Sequence, residues 1–280
     1  MAHVYALDNP YEHPDLIRGV VFDNDGTLYK NPENAHEYHK LAAIDSVQQQ
    51  CPDLADWQIR NLMVESNKKY GAALDIFVQE HGADRQQLRA DHFDSLIRIS
   101  LENDFFRNSE TPHQSLAQLA FTGVQLTIAT HGNKDWTVHS LSQNQLAHMF
   151  NDQTIITKDK IGKGKNLGPE MYEAALDAMS AVKTNEFNLR GRGYATVEDT
   201  MANLMYAKDL GMMTVLINEG RYEPEDIADY VDVVVFDNDQ AVRVIQESNE
   251  EYIKSMPVFS DNADFDDDAD ADYAELTIES

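Results

Sequence analysis

Four short stretches of this 280-residue chain hold residue types suited to phosphoryl chemistry. Asp23-Asn24-Asp25-Gly26-Thr27 sets two carboxylates two residues apart before a glycine, and Glu198-Asp199 is a second carboxylate pair. Thr130-His131-Gly132 offers a hydroxyl, an imidazole and glycine-borne amides. Between these, "KDKIGKGKNLGPEMY" (158–172) brings Lys163 and Lys165 to the start of a helical pattern. Carboxylate oxygens are hard donors that suit Mg²⁺, while a hydroxyl, amides and an ammonium suit the oxygens of a phosphate. The combination answers a definite difficulty. An anionic carboxylate and an anionic phosphate repel each other until cations neutralise them.

The elements around these stretches decide whether they can meet. Short β-branched runs at 17–23, 124–130, 153–157, 193–199, 212–218 and 231–237 read as buried strands. From residue 115 onward they alternate with helical patterns at 114–123, 134–149, 169–181 and 201–210. Such alternation predicts a parallel sheet covered by helices on both faces, with ligands gathered at the carboxyl ends of the strands. All the candidate residues except the lysines stand at such ends. Residues 33–107 lack strand signals; 34–50, 55–82 and 85–103 carry apolar residues at three- and four-residue spacing, broken at Pro52 and Gly82. The expected architecture is α/β: a Rossmann-like, doubly wound parallel sheet formed by 1–29 and 110–250, with an all-helical cap at 30–109. Residues 251–280 form an acidic tail short of apolar groups, expected to be disordered.

Phe-Asp-Asn-Asp occurs twice, at 22–25 and 236–239. Only the first continues into Gly-Thr. The second runs into Gln240-Ala241-Val242, and Asp239 is expected to be the N-cap of a helix over 240–247. Thr200 is read in the same way as a cap.

"FDNDGTLY" (22–29), "TIAT" (127–130), a lysine before "GPEMYEAAL" (168–176) and "VEDTMANLMYAKDLGMMTVLI" (197–217) resemble the four motifs of the haloacid dehalogenase superfamily. The likeness covers about 17–245. "YGAALDIFVQEHG" (70–82), with "TLY" and "VEDTMANL", is similar to pyrimidine 5′-nucleotidase-type phosphatases of the helical-cap subfamily. The resemblance implies Mg²⁺-dependent hydrolysis of small phosphorylated metabolites, pyrimidine nucleoside 5′-monophosphates among them. It makes Asp23 the nucleophile that forms an aspartyl phosphate, and Asp25 the acid and base. Asp23, the Asp25 carbonyl, Asp199 and Glu198 would hold the metal. Thr130, His131 and Gly132 would line the phosphate, with Thr27 fixing the turn. A lysine would offset the nucleophile's charge. The family usually has proline directly after that lysine, and the altered spacing here leaves Lys163 and Lys165 as alternatives, Lys165 preferred for its nearness to the helix.

Rival readings are a haloacid dehalogenase, which would normally lack Asp25, and a sugar phosphomutase using His36 or His39. A non-enzymatic interaction protein acting through the tail is a third. Composition narrows these. The chain carries 49 acidic and 22 basic residues, net −27, with nine acidic and no basic residues in 260–280. That disfavours nucleic acid as a partner. No apolar run is long enough for a membrane span, the first residues lack the pattern of a signal peptide, and a single cysteine, Cys51, fits a reducing cytoplasm. The spacing of His36, His39, His81 and His131 matches no zinc pattern.

Overall fold

The computed structural model describes residues 3–4, 15–70, 73–107, 109–180 and 190–255. Seven parallel strands form one sheet in the order β1-β7-β6-β5-β2-β3-β4. They are β1 (His3–Val4), β2 (Gly19–Phe22), β3 (Gln125–Thr130), β4 (Ile155–Thr157), β5 (Tyr194–Glu198), β6 (Met213–Ile217) and β7 (Val233–Val235). The chain runs outward from β2 through β3 to β4, then returns to β5 on β2's other side. β2 is therefore central and lies at the point where the winding reverses, the place where open α/β sheets present a crevice.

β2 is buried along its whole length, as a strand covered on both faces must be. Its alternating side chains feed two cores. Val20 and Phe22 pack with Leu116 and Leu119 of α5 (His113–Phe121), Leu141 of α6 (Lys134–Gln143), and Val242 and Ile245 of α10 (Asn238–Ser255). Val21 faces the other way, towards Met171, Tyr172 and Leu176 of α8 (Glu170–Ala178) and Ala207 of α9 (Met205–Asp209). Helices thus cover both faces, and the fold is the expected Rossmann-like, doubly wound sheet.

Between β2 and α5 lie four helices: α1 (Ala35–Gln50), α2 (Asp56–Tyr70), α3 (Asp75–Glu80) and α4 (Arg85–Glu102). They have a core of their own, centred on Ile44, Val47, Ile59, Ile76, Phe77 and Leu88. Asp84 starts α4 by accepting from Gln87 N at 2.7 Å, satisfying one of the helix's free amides. A second cluster, Tyr29, Ala42, Phe93, Leu96, Ile99, Phe105 and Trp136, packs the helices against the turn after β2 and against α6.

Several boundaries depart from the sequence reading. The helix expected over 134–149 ends at Gln143, because Gln145 takes a left-handed φ of 59°. Thr200 does not cap a helix through its side chain; it precedes a single 3₁₀ turn, Met201–Asn203, and its hydroxyl donates to Asp199 Oδ1 at 3.1 Å. Asp237, not Asp239, caps α10, accepting from Gln240 N at 2.8 Å, while Asp239 accepts from Ser115 Oγ at 2.6 Å. α10 continues to Ser255, so the first residues of the expected tail are helical; 256–280 lie outside the described residues, as does most of the loop expected at 183–192. β1 has no signal in the sequence. Among the described residues no helix is long and apolar enough to cross a membrane.

The far end of α10 is tied to the entrance of β2. Asn249 Oδ1 accepts from Ile17 N at 2.7 Å and its Nδ2 donates to Ile17 O at 2.9 Å, beside a fully buried Ile17 side chain. Asn249→Ala leaves both backbone groups without these partners and is expected to cost about 1–3 kcal/mol, measured by denaturant unfolding.

Candidate active site

Register explains why the distant motifs meet. Phe22 pairs with Ile128 on one side and with Val197 on the other, so the next residues, Asp23, Ala129 and Glu198, come level at three adjoining strand ends. Lys165 closes across them. Its Nζ donates to Asp23 Oδ1 at 2.5 Å and to Ala129 O at 2.9 Å, and it forms an ion pair with Glu198 Oε1. The side chain is 1% exposed. Burial alone would depress its ammonium, but Asp23 and Glu198 outweigh that and hold it above the ordinary lysine range. Lys163, the alternative, pairs with Glu170 at 2.6 Å on the surface.

The chain reaches this position through a tight loop. His131 Nε2 accepts from Lys165 N at 2.9 Å, which places the ring proton on Nδ1. Burial, with the charges of Lys165, Lys158 and Arg89, lowers His131 to about 3, so the ring is neutral. Gly164 lets the imidazole this close: a Cβ there would stand 2.9 Å from Nε2. Arg89 of α4 donates to His131 O and pairs with Asp159 in α7 (Lys158–Ile161), so the insertion grips the same loop.

Asp23, Glu198 and Asp199 bring carboxylate oxygens within 4.8 Å of one another. Burial, then the charge of Glu198, raises Asp23 well above the usual carboxylate range, with Lys165 opposing; Glu198 is raised chiefly by burial. Hard oxygen donors crowded in this way, with more negative charge than one lysine neutralises, fit a small divalent cation. Glu198 is already engaged at both oxygens, Oε1 by Lys165 and Asn203 Nδ2 (2.8 Å) and Oε2 by Thr200 N (3.1 Å). Asp199 Oδ2 accepts from Arg221 Nη1 at 2.9 Å. Gly26, at φ +79°, is required here twice over, since a Cβ would also lie 2.4 Å from Asp199 Oδ2.

Asp25 is held differently. Its Oδ1 accepts from Trp136 Nε1 at 2.6 Å and from the Tyr29 hydroxyl. Asn133 sets Trp136 in the first turn of α6 by accepting from its backbone N at 2.8 Å. Asn24 is fully buried, donating to Ser140 Oγ of the same helix at 3.0 Å. Thr130 is also buried, and its Oγ1 accepts from Gly132 N at 2.9 Å. Thr27 Oγ1 is buried without a hydrogen-bond partner among the described residues, inside the turn rather than on its surface.

Sequence reasoning missed Trp136 and Arg221. Neither belongs to a recognisable local pattern: Trp136 reads as one more apolar helix residue, and Arg221 as a loop cation after β6. The second Phe-Asp-Asn-Asp lies beyond β7, its Asp237 spent on capping α10 and Phe236 59% exposed. His36 is on the surface, whereas His39 lies beside Trp136, ring centroids 6.3 Å apart.

The chain is 23% identical over 252 residues to glyceraldehyde 3-phosphate phosphatase of Methanocaldococcus jannaschii, covering 82% of this chain and 98% of that one. Among solved structures it is similar to CbbY from Rhodobacter sphaeroides in complex with phosphate (TM-score 0.56, 17% identity, 80% of this chain and 96% of the other). A putative β-phosphoglucomutase from Thermotoga maritima shares the fold at TM-score 0.53 and 15% identity, over 82% and 99% of the two chains. Residues 20–217, spanning β2 through β6 and with them every strand end of the site, match the haloacid dehalogenase-like hydrolases, and the chain belongs to that family.

Proposed function

We propose that the protein is a Mg²⁺-dependent phosphomonoester hydrolase working through an aspartyl-phosphate intermediate. The observation that carries this reading is the buried lysine joining Asp23, the Ala129 carbonyl and Glu198 beside a three-carboxylate cluster. In it, Asp23 attacks phosphorus while Lys165 offsets the charge of the carboxylate. Asp25 gives a proton to the departing oxygen, then takes one from the water that cleaves the intermediate. Thr130 and the amide of His131 bind phosphate oxygens, and Gly132 N orients the Thr130 hydroxyl by donating to it. Asp23, the Asp25 carbonyl and Asp199, with Glu198 at the edge, would hold Mg²⁺, which supplies positive charge where carboxylate and phosphate meet. Residues 30–109 serve as the cap that selects the leaving group, on a core of 1–29 and 110–250.

Asp25 argues against a dehalogenase, whose halide needs no proton, and the presence of Asp23, Asp25 and Asp199 argues against a purely structural role. A phosphomutase is the second reading, because His39 of the insertion lies against the tryptophan that holds Asp25. Product analysis with a sugar phosphate separates transfer from hydrolysis.

The substrate class follows from what the insertion has left to offer. Phe77, Phe93 and Phe105 are buried in its packing, and the Tyr70 hydroxyl donates to Glu80 at 2.7 Å. The three buried rings are unavailable for stacking a base, a contact worth about 1–3 kcal/mol where it forms, and of the larger rings of the insertion Trp57 is left exposed at 65%. Small sugar and triose phosphates are therefore the first class, which agrees with the relative named for a triose phosphate. Pyrimidine nucleotides, suggested by 70–82, come second.

Asp23→Asn keeps the shape of the nucleophile but not its charge, and is expected to lower kcat about a thousandfold or more; appreciable turnover by purified, folded variant would sink the assignment. EDTA should abolish activity, and Mg²⁺ should raise the melting temperature by several degrees. Asp199→Ala is expected to remove that thermal response. Glu198→Ala should keep most of it from a lower starting point, since Lys165 loses one of its two carboxylate partners and Asn203 and Thr200 lose an acceptor, about 1–3 kcal/mol. Equal, mild effects of the two changes would mean that the metal sits elsewhere. In steady-state assays, kcat/KM for glyceraldehyde 3-phosphate or ribose 5-phosphate should equal or exceed that for UMP and CMP; a tenfold or greater preference for the nucleotides would establish the nucleotidase reading instead.

A further inference from the structure

Lys165 binds Asp23 and Glu198, and Arg221 binds Asp199, but the donors to Asp25 are two neutral groups that converge on one oxygen. An indole N–H can only donate. The Tyr29 hydroxyl also donates, since its partner atom is a carboxyl oxygen already accepting from the indole. Oδ1 is thus committed as an acceptor twice over, and a proton placed on it would have to displace a donor.

Both rings are rigidly held. Tyr29 and Trp136 are fully buried. Phe106 packs edge-on against Tyr29 at 5.2 Å, and Phe105 and Phe106 stand 5.8 and 5.7 Å from Trp136. The two phenylalanines directly follow α4, so the insertion braces the donors from outside the sheet. Backbone pairing of Asp25 with Tyr29 fixes the turn between them.

We propose that Tyr29 and Trp136 are positioning residues that lock the Asp25 carboxyl in one rotation, reserving Oδ2 for proton exchange with the leaving group. This rests on Asp25 being the acid–base group of a phosphomonoesterase. As an Asp23 oxygen bonds to phosphorus and the P–O bond to the alcohol breaks, the proton on Oδ2 passes to the alcohol oxygen. The electron pair of the O–H bond stays with Asp25, which becomes a carboxylate still accepting both donors at Oδ1. Without them the carboxyl can turn and present the wrong oxygen.

The test is a leaving-group comparison in Tyr29→Phe and Trp136→Phe. An alkyl phosphate such as glycerol 1-phosphate needs its oxygen protonated, whereas p-nitrophenyl phosphate, a good leaving group, needs little help. Each substitution is expected to lower kcat/KM for the alkyl ester about tenfold, mostly through kcat, and that for the p-nitrophenyl ester several times less. Equal losses on both esters, or none on either, overturn the proposal. Tyr29→Phe removes a single hydroxyl, so it decides the matter if Trp136→Phe does not fold. The phosphatase reading is judged separately, by wild-type turnover of p-nitrophenyl phosphate and its loss in Asp23→Asn. A readout independent of turnover is emission from Trp136 in a Trp57→Phe background, Trp57 being the chain's other tryptophan and 65% exposed. Asp25→Ala should shift that emission, and an unchanged spectrum would overturn the indole–carboxylate contact.

Discussion

A single ammonium group spans three strand ends. Lys165 is drawn out of water to meet Asp23, Glu198 and the Ala129 carbonyl at once, and a lysine buried without such partners would give up its proton. The arrangement constrains everything near it. β2, β3 and β5 must end in register, the loop before α8 must come in close enough to need Gly164, and His131 must be neutral to receive the Lys165 amide. The reverse also holds, since Glu198 and Asp23 could hardly be buried side by side without that cation.

Charge gives this local order a wider meaning. A body of net −27 repels phosphate at a distance, and ionic strength screens that repulsion beyond about 8–10 Å. Cations near the crevice therefore matter more than the total. Lys165, Lys158 and Arg89 all bear on His131, and Arg221 sits on Asp199. Arg89 comes from the insertion and Arg221 from the loop after β6, so the positive groups enter from different sides of an acidic protein.

The strands, their parallel order and the helical block are legible in the sequence because burial on two faces writes itself as β-branched runs, and amphipathic packing as three- and four-residue spacing. Asp23, Asp25, Thr130, Glu198 and Asp199 are legible for the same reason: each stands where a strand stops. Lys165 is harder, because two glycines flank an irregular loop, and only the finished fold shows Lys163 turned to Glu170. Trp136 and Arg221 are invisible from local pattern, since their partners are 111 and 22 residues away. Helix ends fail where side chains compete with the backbone. Asp237 and Asp239 both suit a cap, and the contact from Ser115 engages the second, a long-range fact no window of sequence contains.

The central place of β2 has a consequence for how the molecule comes into being. Asp23 emerges early from the ribosome, yet its strand pairs with β5, and Ile17 at its entrance waits for Asn249, 232 residues later. At about 5–20 residues per second, the interval between making Phe22 and making Val197 is roughly 10–35 seconds. Through that time a fully buried strand lacks at least one of its two neighbours. The helical insertion, whose contacts are close in sequence, can form meanwhile, whereas the crevice at the strand ends is completed only with β5. A nascent chain interrupted before β5 would therefore leave one edge of β2 unpaired and the cluster around Lys165 without Glu198 and Asp199.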